Sequence, residues 1–266
     1  MTDDSDLDLS KAPLLSHLLE LRRRLLFCLV FFVVAFGTSY QFAEQIYAFL
    51  LQPLTNAFSD ATDRRMIYTG LHEAFFTYLK LSFFAAVFFS LPLILLQFWR
   101  FIAPGLYRFE RTAFLPLVFA TPLLFLCGAA LAYYGVMPLA WKFFLSFESL
   151  GAETGLAVQL EARVSEYLGL VIKLIIAFAL SFELPVVLVL LAKVGMVTAD
   201  SLVEYRKHAA VLAFVVAALL TPPDLISQIT LGLPIIVLYE LSILFIRRSN
   251  ADRVGRERLQ TAHHGK

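Results

Sequence analysis

Long apolar runs alternate with short polar segments along almost the whole of this 266-residue chain. A helix that crosses a bilayer needs about 20 mostly apolar residues. The runs predict helical spans over residues 25–40, 74–98, 113–137, 166–192, 209–220 and 225–246. We therefore expect an all-α polytopic membrane protein, with six transmembrane helices in one domain over residues 1–266.

The first span and the last pair are short. Residues 25–40 need to continue into the amphipathic segment 41–52 to cross, and the 12 residues of 209–220 rise only about 18 Å. Either that corner of the protein thins the bilayer or the last pair is re-entrant. We favour a short hairpin whose turn, TPPD at 221–224, reaches the outer face, because two prolines end a helix.

The segments outside the spans have patterns of their own. Residues 1–13 are acidic and are predicted to be disordered. In residues 14–24 leucines recur at steps of three and four, which indicates an amphipathic helix along the membrane surface. Thr198 or Asp200 is placed to cap a short helix before the fifth span. Residues 247–266 form a basic, polar tail that we expect in the cytoplasm.

The distribution of lysine and arginine predicts the orientation of the chain. The segments 1–24, 99–111, 193–208 and 247–266 hold 4, 3, 3 and 6 of these residues, which is 16 of the 22. Cytoplasmic loops of membrane proteins are enriched in Lys and Arg. Because six spans put both termini on the same side, we predict that both termini are cytoplasmic.

Composition agrees with a membrane protein and argues against other classes. Hydrophobic residues make up 59% and charged residues 16%, with a mean hydropathy of +0.76, whereas soluble domains have about 25% charged residues. The net charge of +1 and the scattered basic residues argue against nucleic-acid binding.

Cys28 and Cys127 lie inside apolar runs, as small buried hydrophobes do. The acidic N-terminus lacks the pattern of a cleaved signal peptide, so we expect the first apolar run to stay in the mature protein.

The sequence carries no motif for catalysis or metal binding. His72-Glu73 begins like the HExxH motif of zinc proteases, but the fifth position is Phe76. No phosphate-binding P-loop occurs, and no Cys/His cluster has the spacing of metal ligands. We therefore expect no enzyme activity, no metal and no cofactor.

Four ionisable residues lie inside the predicted spans, where a charge at mid-bilayer costs about 2.5–3.5 kcal/mol. They are Lys80, Lys173, Glu183 and Glu240. A lysine stem is long enough for its ammonium to reach the interface. The Glu183 side chain is too short for that, so it is neutral, lies in a wet cavity or binds a polar group of another helix. One hypothesis for function is therefore a proton-coupled secondary transporter that uses Glu183.

Two polar segments of mixed charge lie on the side predicted to be cytoplasmic. One is 17–24, which contains Glu20. The other is 99–111, in which Pro104 breaks the helix and Glu110 lies between arginines. The simplest interpretation of each carboxylate is a solvated local ion pair, which contributes little. The functional hypothesis is that Glu20 and Glu110 face one cationic ligand.

A set of stretches spread over nearly the whole chain carries a family resemblance. They are HLLELRRR at 17–24, Pro53-Leu54 after the first span, EAFFTYLKLSFF at 73–84, FIAPGLYRFER at 101–111, YYGVMPLAWKFF at 133–144, SFELPVV at 181–187, TPPDLISQ at 221–228 and LPIIVLYE at 233–240. In this order and on these spans they resemble the TatC family, the multi-span receptor subunit of the twin-arginine protein translocase. Each stretch alone is weakly specific, and the whole set is highly specific.

The resemblance implies a receptor and core subunit in a bacterial inner membrane, which binds the twin-arginine signal peptides of folded proteins at its cytoplasmic face. It also implies single-span TatA and TatB partners, a homo-oligomer within the complex, transport driven by the proton-motive force, and a kinked, cupped helix bundle. The residues that would bind the signal peptide are Glu20, Arg22, Arg24, Phe101, Pro104, Leu106, Tyr107, Glu110 and Arg111. The residues that would dock the partner subunits are Glu183, Thr221, Asp224, Gln228 and Glu240. Pro53 and Pro185 would have structural roles.

The chemistry of arginine fits this assignment. A guanidinium makes a two-pronged bond to a carboxylate, a geometry that lysine lacks. Each charge-assisted hydrogen bond contributes about 1.5–3 kcal/mol, so two pairs, less the cost of ordering, suit a complex of about micromolar strength.

Two other hypotheses stay open. The transporter hypothesis calls for internal repeats, of which the sequence gives no convincing sign, and a passive scaffold would bind partners but no signal peptide.

Overall fold

The computed structural model describes residues 4–58, 65–102, 111–148, 160–220 and 225–264, and nearly all of these residues are helical. The helices are α1 (Asp4–Gln41), α2 (Ala43–Thr55), α3 (Glu73–Ile102), α4 (Arg111–Ala130), α5 (Met137–Leu145), α6 (Val164–Ser181), α7 (Leu184–Lys193), α8 (Ala199–Glu204), α9 (Arg206–Leu220) and α10 (Leu225–His264). A π-helical segment, Leu131–Val136, joins α4 to α5. The all-helical class predicted from the sequence is confirmed.

The first helix is longer than the hydrophobic pattern predicts. It runs without a break through residues for which the sequence predicts a tail, a surface helix and the first span. The chain then bends by 75° into α2. Just before the bend, the Thr38 hydroxyl donates to the Val34 carbonyl at 2.8 Å, and such back-bonding favours bending of a helix. Pro53 is buried in the last turn of α2.

Four helical stretches within the described residues are long and apolar enough to cross a membrane. They are Glu73–Phe98, Phe119–Leu145, Val164–Lys193 and Gln228–Arg248. The bent pair of α1 and α2 raises the number to five when its two helices count as one span. α9 has 15 residues, which is fewer than the about 20 that a bilayer needs. The count of six spans therefore stays a prediction that depends on α9.

The chain forms two compact units. The first comprises Met1–Leu50 and Tyr68–Pro122, and the second comprises Leu51–Ile67 and Leu123–Lys266. In the first unit α1 packs antiparallel to α3. The rings of Phe32 and Phe83 meet edge to face with their centroids 5.5 Å apart.

The second unit has its core where α6, α9, α10 and the π-helical segment meet. The buried residues of this core are Ala132, Val136, Ala177, Phe178, Ala213, Ala217, Leu231 and Ile235. Gly128 in α4 allows an especially close approach to α6, because a Cβ added there would lie 2.5 Å from the Phe178 carbonyl oxygen. Small residues at such interfaces let the helix backbones approach each other in a membrane protein.

A capping box begins the short helix α8. The Thr198 hydroxyl accepts a hydrogen bond from the Ser201 backbone N–H at 3.1 Å, and the Ser201 hydroxyl accepts one from the Thr198 N–H at 3.0 Å. This arrangement satisfies two backbone donors at the start of the helix, and it confirms Thr198 as the cap. The Tyr239 hydroxyl donates to the Leu202 carbonyl at 2.7 Å and so ties α8 to α10.

Two polar segments of the second unit meet in a parallel β-bridge. The Ile67 N–H donates to the Ala162 carbonyl at 3.2 Å, and the Val164 N–H donates to the Ile67 carbonyl at 3.3 Å. An exposed ion pair between Arg65 and Glu161, at 3.5 Å, lies beside the bridge. These contacts join two segments that the sequence predicts to lie outside the cytoplasm.

Candidate functional site

Glu20 and Arg24 form an ion pair one turn apart on α1. The Arg24 Nε and Nη2 atoms donate to Glu20 Oε1 at 3.0 and 2.5 Å. The four-residue spacing places both side chains on one face of the helix, where such pairs form. The Glu20 side chain is 38% exposed and the Arg24 side chain 22% exposed. The carboxylate is thus partly accessible, whereas its arginine is largely covered.

The other edge of the same guanidinium reaches α3. Arg24 Nη1 donates to the side-chain oxygen of Gln97 at 3.1 Å and lies 3.4 Å from the Gln97 backbone carbonyl oxygen. Arg24 therefore links the carboxylate of Glu20 to the last turns of α3. Gln97 is not among the site residues that the sequence predicts. The one available signal was an amide near the end of an apolar run, four residues before the FIAPGLYRFER stretch.

The structure also describes three other residues that were predicted to bind the signal peptide. Arg22 is exposed on α1, and Phe101 lies half-buried in the last turn of α3, one turn beyond Gln97. Arg111 begins α4. Pro104, Leu106, Tyr107 and Glu110 lie outside the described residues. The structure therefore brings the 20–24 segment to the end of α3 from which residues 103–110 continue.

Glu183 lies where α6 gives way to α7. It is 4% exposed and occupies the position just before α7, and Pro185 follows in the first turn. The Glu183 N–H donates to the Leu180 carbonyl at 3.1 Å, and the Val187 N–H donates to the Glu183 carbonyl at 3.0 Å. A proline in the first turn of a helix costs no intrahelical hydrogen bond. The break thus places a buried carboxylate between two apolar helices.

Two residues predicted to dock partners make contacts within the second unit. The Gln228 side-chain nitrogen lies 3.4 Å from the Phe214 carbonyl oxygen. Glu240 accepts a hydrogen bond from Arg206 Nη2 at 2.6 Å. Thr221 and Asp224 lie outside the described residues.

A cavity of about 290 Å³ lies among α7, α9 and α10. Arg206, Glu240 and Tyr239 are among its lining residues, and most of the others are apolar. Within the described residues, no group of three or more His, Cys, Asp or Glu side chains is placed to hold a metal ion.

Several apolar helices long enough to cross a bilayer define a multi-span α-helical membrane protein. The contacts of Glu20, Arg24 and Gln97 add a polar site where α1 passes the end of α3. The chain belongs to the TatC family, since the model of the family described as Sec-independent protein translocase protein (TatC) matches residues 16–234.

Named relatives are similar over most of their length. The Sec-independent protein translocase protein TatC of Magnetococcus marinus is 50% identical over 255 residues, which are 95% of this chain and 91% of that protein. The protein of the same name from Escherichia coli K12 is 40% identical over 235 residues, 88% of each chain. A solved chain, the "Twin Arginine Translocase Receptor- TatC in DDM", superposes with a TM-score of 0.73 at 37% identity, over 86% of this chain and 99% of that chain. The family and the apolar helices together indicate a multi-pass protein of the bacterial inner membrane.

Proposed function

We propose that this chain is the signal-peptide receptor and core subunit of a twin-arginine translocase. The observation that carries the proposal is the contact of Arg24 with Gln97, which holds the Glu20 segment against the end of α3. Residues 103–110, which include Glu110, follow directly after that end. Membership of the TatC family and the likeness to a solved twin-arginine translocase receptor support the same conclusion.

A pair of carboxylates, Glu20 and Glu110, would suit the recognition of two adjacent arginines. Glu20 is partly exposed, so a guanidinium can approach it from solution. Glu110 would take the second guanidinium, and Arg22, Phe101 and the other predicted residues would line the peptide. Because arginine bonds a carboxylate with two parallel donors and lysine does not, the site would distinguish an arginine pair from a lysine pair.

The proposal extends to partners and orientation. Both termini would be cytoplasmic, and folded cargo proteins would present their signal peptides on that side. TatA- and TatB-type single-span subunits would dock on polar groups of the last three spans, and several copies of the chain would join in one complex. Glu183 and Gln228 support this part, because polar side chains within apolar helices favour hydrogen bonds to another helix.

Site-specific crosslinking tests the receptor function. A signal peptide that carries Arg-Arg or Lys-Lys, with a photocrosslinker beside that pair, is presented to the chain. We expect the Arg-Arg peptide to crosslink to the segments around positions 20 and 110, and the Lys-Lys peptide to do so much less. Glu20→Gln or Glu110→Gln should weaken binding about 10- to 100-fold, because each loses a charge-assisted pair.

Glu44→Gln is the matched control, since Glu44 is an exposed carboxylate of the same unit in the first turn of α2. It should leave peptide affinity unchanged. Unaltered affinity in the Glu20→Gln/Glu110→Gln double variant, with normal membrane insertion, would defeat the assignment of the two carboxylates.

A further inference from the structure

Gln97 is a polar side chain that joins the candidate site from outside the residues assigned above. Its side-chain oxygen accepts a hydrogen bond from Arg24 Nη1 at 3.1 Å, and its backbone carbonyl oxygen lies 3.4 Å from the same nitrogen. Both groups belong to α3, whereas Arg24 belongs to α1. We propose that Gln97 is a positioning residue for signal-peptide recognition, which holds Arg24 so that Arg24 orients the Glu20 carboxylate towards the peptide. This inference rests on the proposed function.

The rigid geometry of the Arg24 guanidinium explains how Gln97 can orient Glu20 without touching it. A guanidinium is planar and rigid, with its five N–H donors in fixed directions. The Nε and Nη2 donors of Arg24 serve Glu20, and the Nη1 donor serves Gln97. A partner at Nη1 therefore fixes the plane in which the other two donors point. The 22% exposure of Arg24 limits the number of other positions that its side chain can take.

The same geometry leaves one carboxylate oxygen for a ligand. Both bonds from Arg24 end on Glu20 Oε1, and within the described residues no hydrogen bond reaches Oε2. A carboxylate has about four acceptor positions on its two oxygens. Because the Glu20 side chain is 38% exposed, an incoming guanidinium can bond Oε2 without displacing Arg24. Arg24 then acts as a fixed support for the carboxylate and not as a competitor of the peptide.

The neutral amide of Gln97 suits this arrangement. A carboxylate in its place would attract Arg24 away from Glu20, and an apolar side chain would offer Nη1 no acceptor. The amide accepts a hydrogen bond and leaves Glu20 as the charged partner of Arg24. Orientation of a binding group by a neighbour that never touches the ligand is a common way to hold a site in its productive geometry.

The test is the affinity of the detergent-solubilised full chain for an Arg-Arg signal peptide. Gln97→Met keeps the shape of the side chain and removes the side-chain acceptor, and we expect it to weaken binding about 3- to 10-fold, the effect of one hydrogen bond. The same change in a Glu20→Gln background should cause no further loss, because Gln97 acts through Glu20. A Lys-Lys peptide should show little difference between the wild type and Gln97→Met.

Gln41→Met provides the matched control, since Gln41 is an exposed glutamine of the same unit at the far end of α1. It should leave the affinity and the thermal stability unchanged. If Gln97→Met itself lowers the melting temperature, Gln97→Asn, which is one methylene too short to reach Nη1, should reproduce the loss of affinity in a folded protein.

The outcomes separate this inference from the function on which it rests. Absence of Arg-Arg binding by the wild type would overturn the receptor function. Binding by the wild type, with unchanged affinity in Gln97→Met, would overturn the role of Gln97 alone. Tighter binding by Gln97→Met would also overturn it, because that result would mean that Arg24 competes with the peptide. Additive losses in the Glu20→Gln background would likewise reject action through Glu20.

Discussion

Glu240 illustrates at the residue scale what the structure adds to the interpretation of a side chain. In the sequence it is a carboxylate inside an apolar run, and the family resemblance implies a role for it in partner docking. In the structure it accepts a hydrogen bond from Arg206, 34 residues earlier, at 2.6 Å. The two side chains are 40% and 44% exposed. Ion pairs with this exposure contribute about 0–1 kcal/mol to stability.

Reversal of one charge of this pair gives a residue-scale prediction. We expect Glu240→Arg to lower the free energy of unfolding by up to about 1 kcal/mol, because two cations then face each other across a partly exposed contact. The double variant Arg206→Glu/Glu240→Arg should recover most of that loss. Denaturant unfolding in detergent micelles measures both values. A coupling of about 3–5 kcal/mol would contradict this prediction, since that magnitude belongs to a fully buried pair.

At the scale of helices, Gly128 determines how closely two of them approach. An added Cβ would lie 2.5 Å from the Phe178 carbonyl oxygen and 2.9 Å from the Ala179 Cα. Both are backbone atoms of α6, so the conflict cannot be relieved by a change of rotamer. The two helices would have to separate, and the tight packing around the π-helical segment would loosen with them.

A pair of glycine substitutions tests this packing. Gly128→Ala should lower the free energy of unfolding by about 1–3 kcal/mol, the usual cost of overpacking. Gly37→Ala is the control, because Gly37 lies inside α1 and an added Cβ there meets nothing within 4 Å. Alanine is the better helix former, so this control should gain up to about 1 kcal/mol. Thermal unfolding in detergent compares the two, and shifts of the same sign and size would contradict the proposed close approach.

The orientation of the chain in the membrane is a property of the whole molecule. The excess of Lys and Arg in the four segments that include both termini predicts that those segments are cytoplasmic. The segment that contains Arg65 then lies on the opposite side, and the segment that contains Lys207 lies inside. Both side chains are exposed in the structure, so each position is open to a labelling reagent.

Cysteine labelling in intact cells measures this orientation. In a Cys28→Ala/Cys127→Ala background, we expect a membrane-impermeant thiol reagent to modify Arg65→Cys directly. It should modify Lys207→Cys only after the inner membrane is permeabilised. Labelling of both positions from outside would show that the two segments share a side, which would contradict the predicted topology and the cytoplasmic receptor face with it.

The sequence by itself determined the helical class, the approximate positions of the apolar helices, a cap at Thr198 or Asp200, and the family. These features depend on local spacing, on the length of apolar runs and on short motifs, all of which follow from the order of residues in the sequence. It also singled out Glu20, as a carboxylate in a polar segment of mixed charge, and the family resemblance added Arg24.

Only the tertiary structure decided which groups from distant helices meet. Gln97 meets Arg24, Arg206 meets Glu240, and Gly128 meets the backbone of α6. The physical reason is that a helix surrounded by lipid is apolar on nearly every side. Its hydrophobic pattern then leaves open how far the helix is rotated about its axis, whereas in water a polar face would fix that rotation.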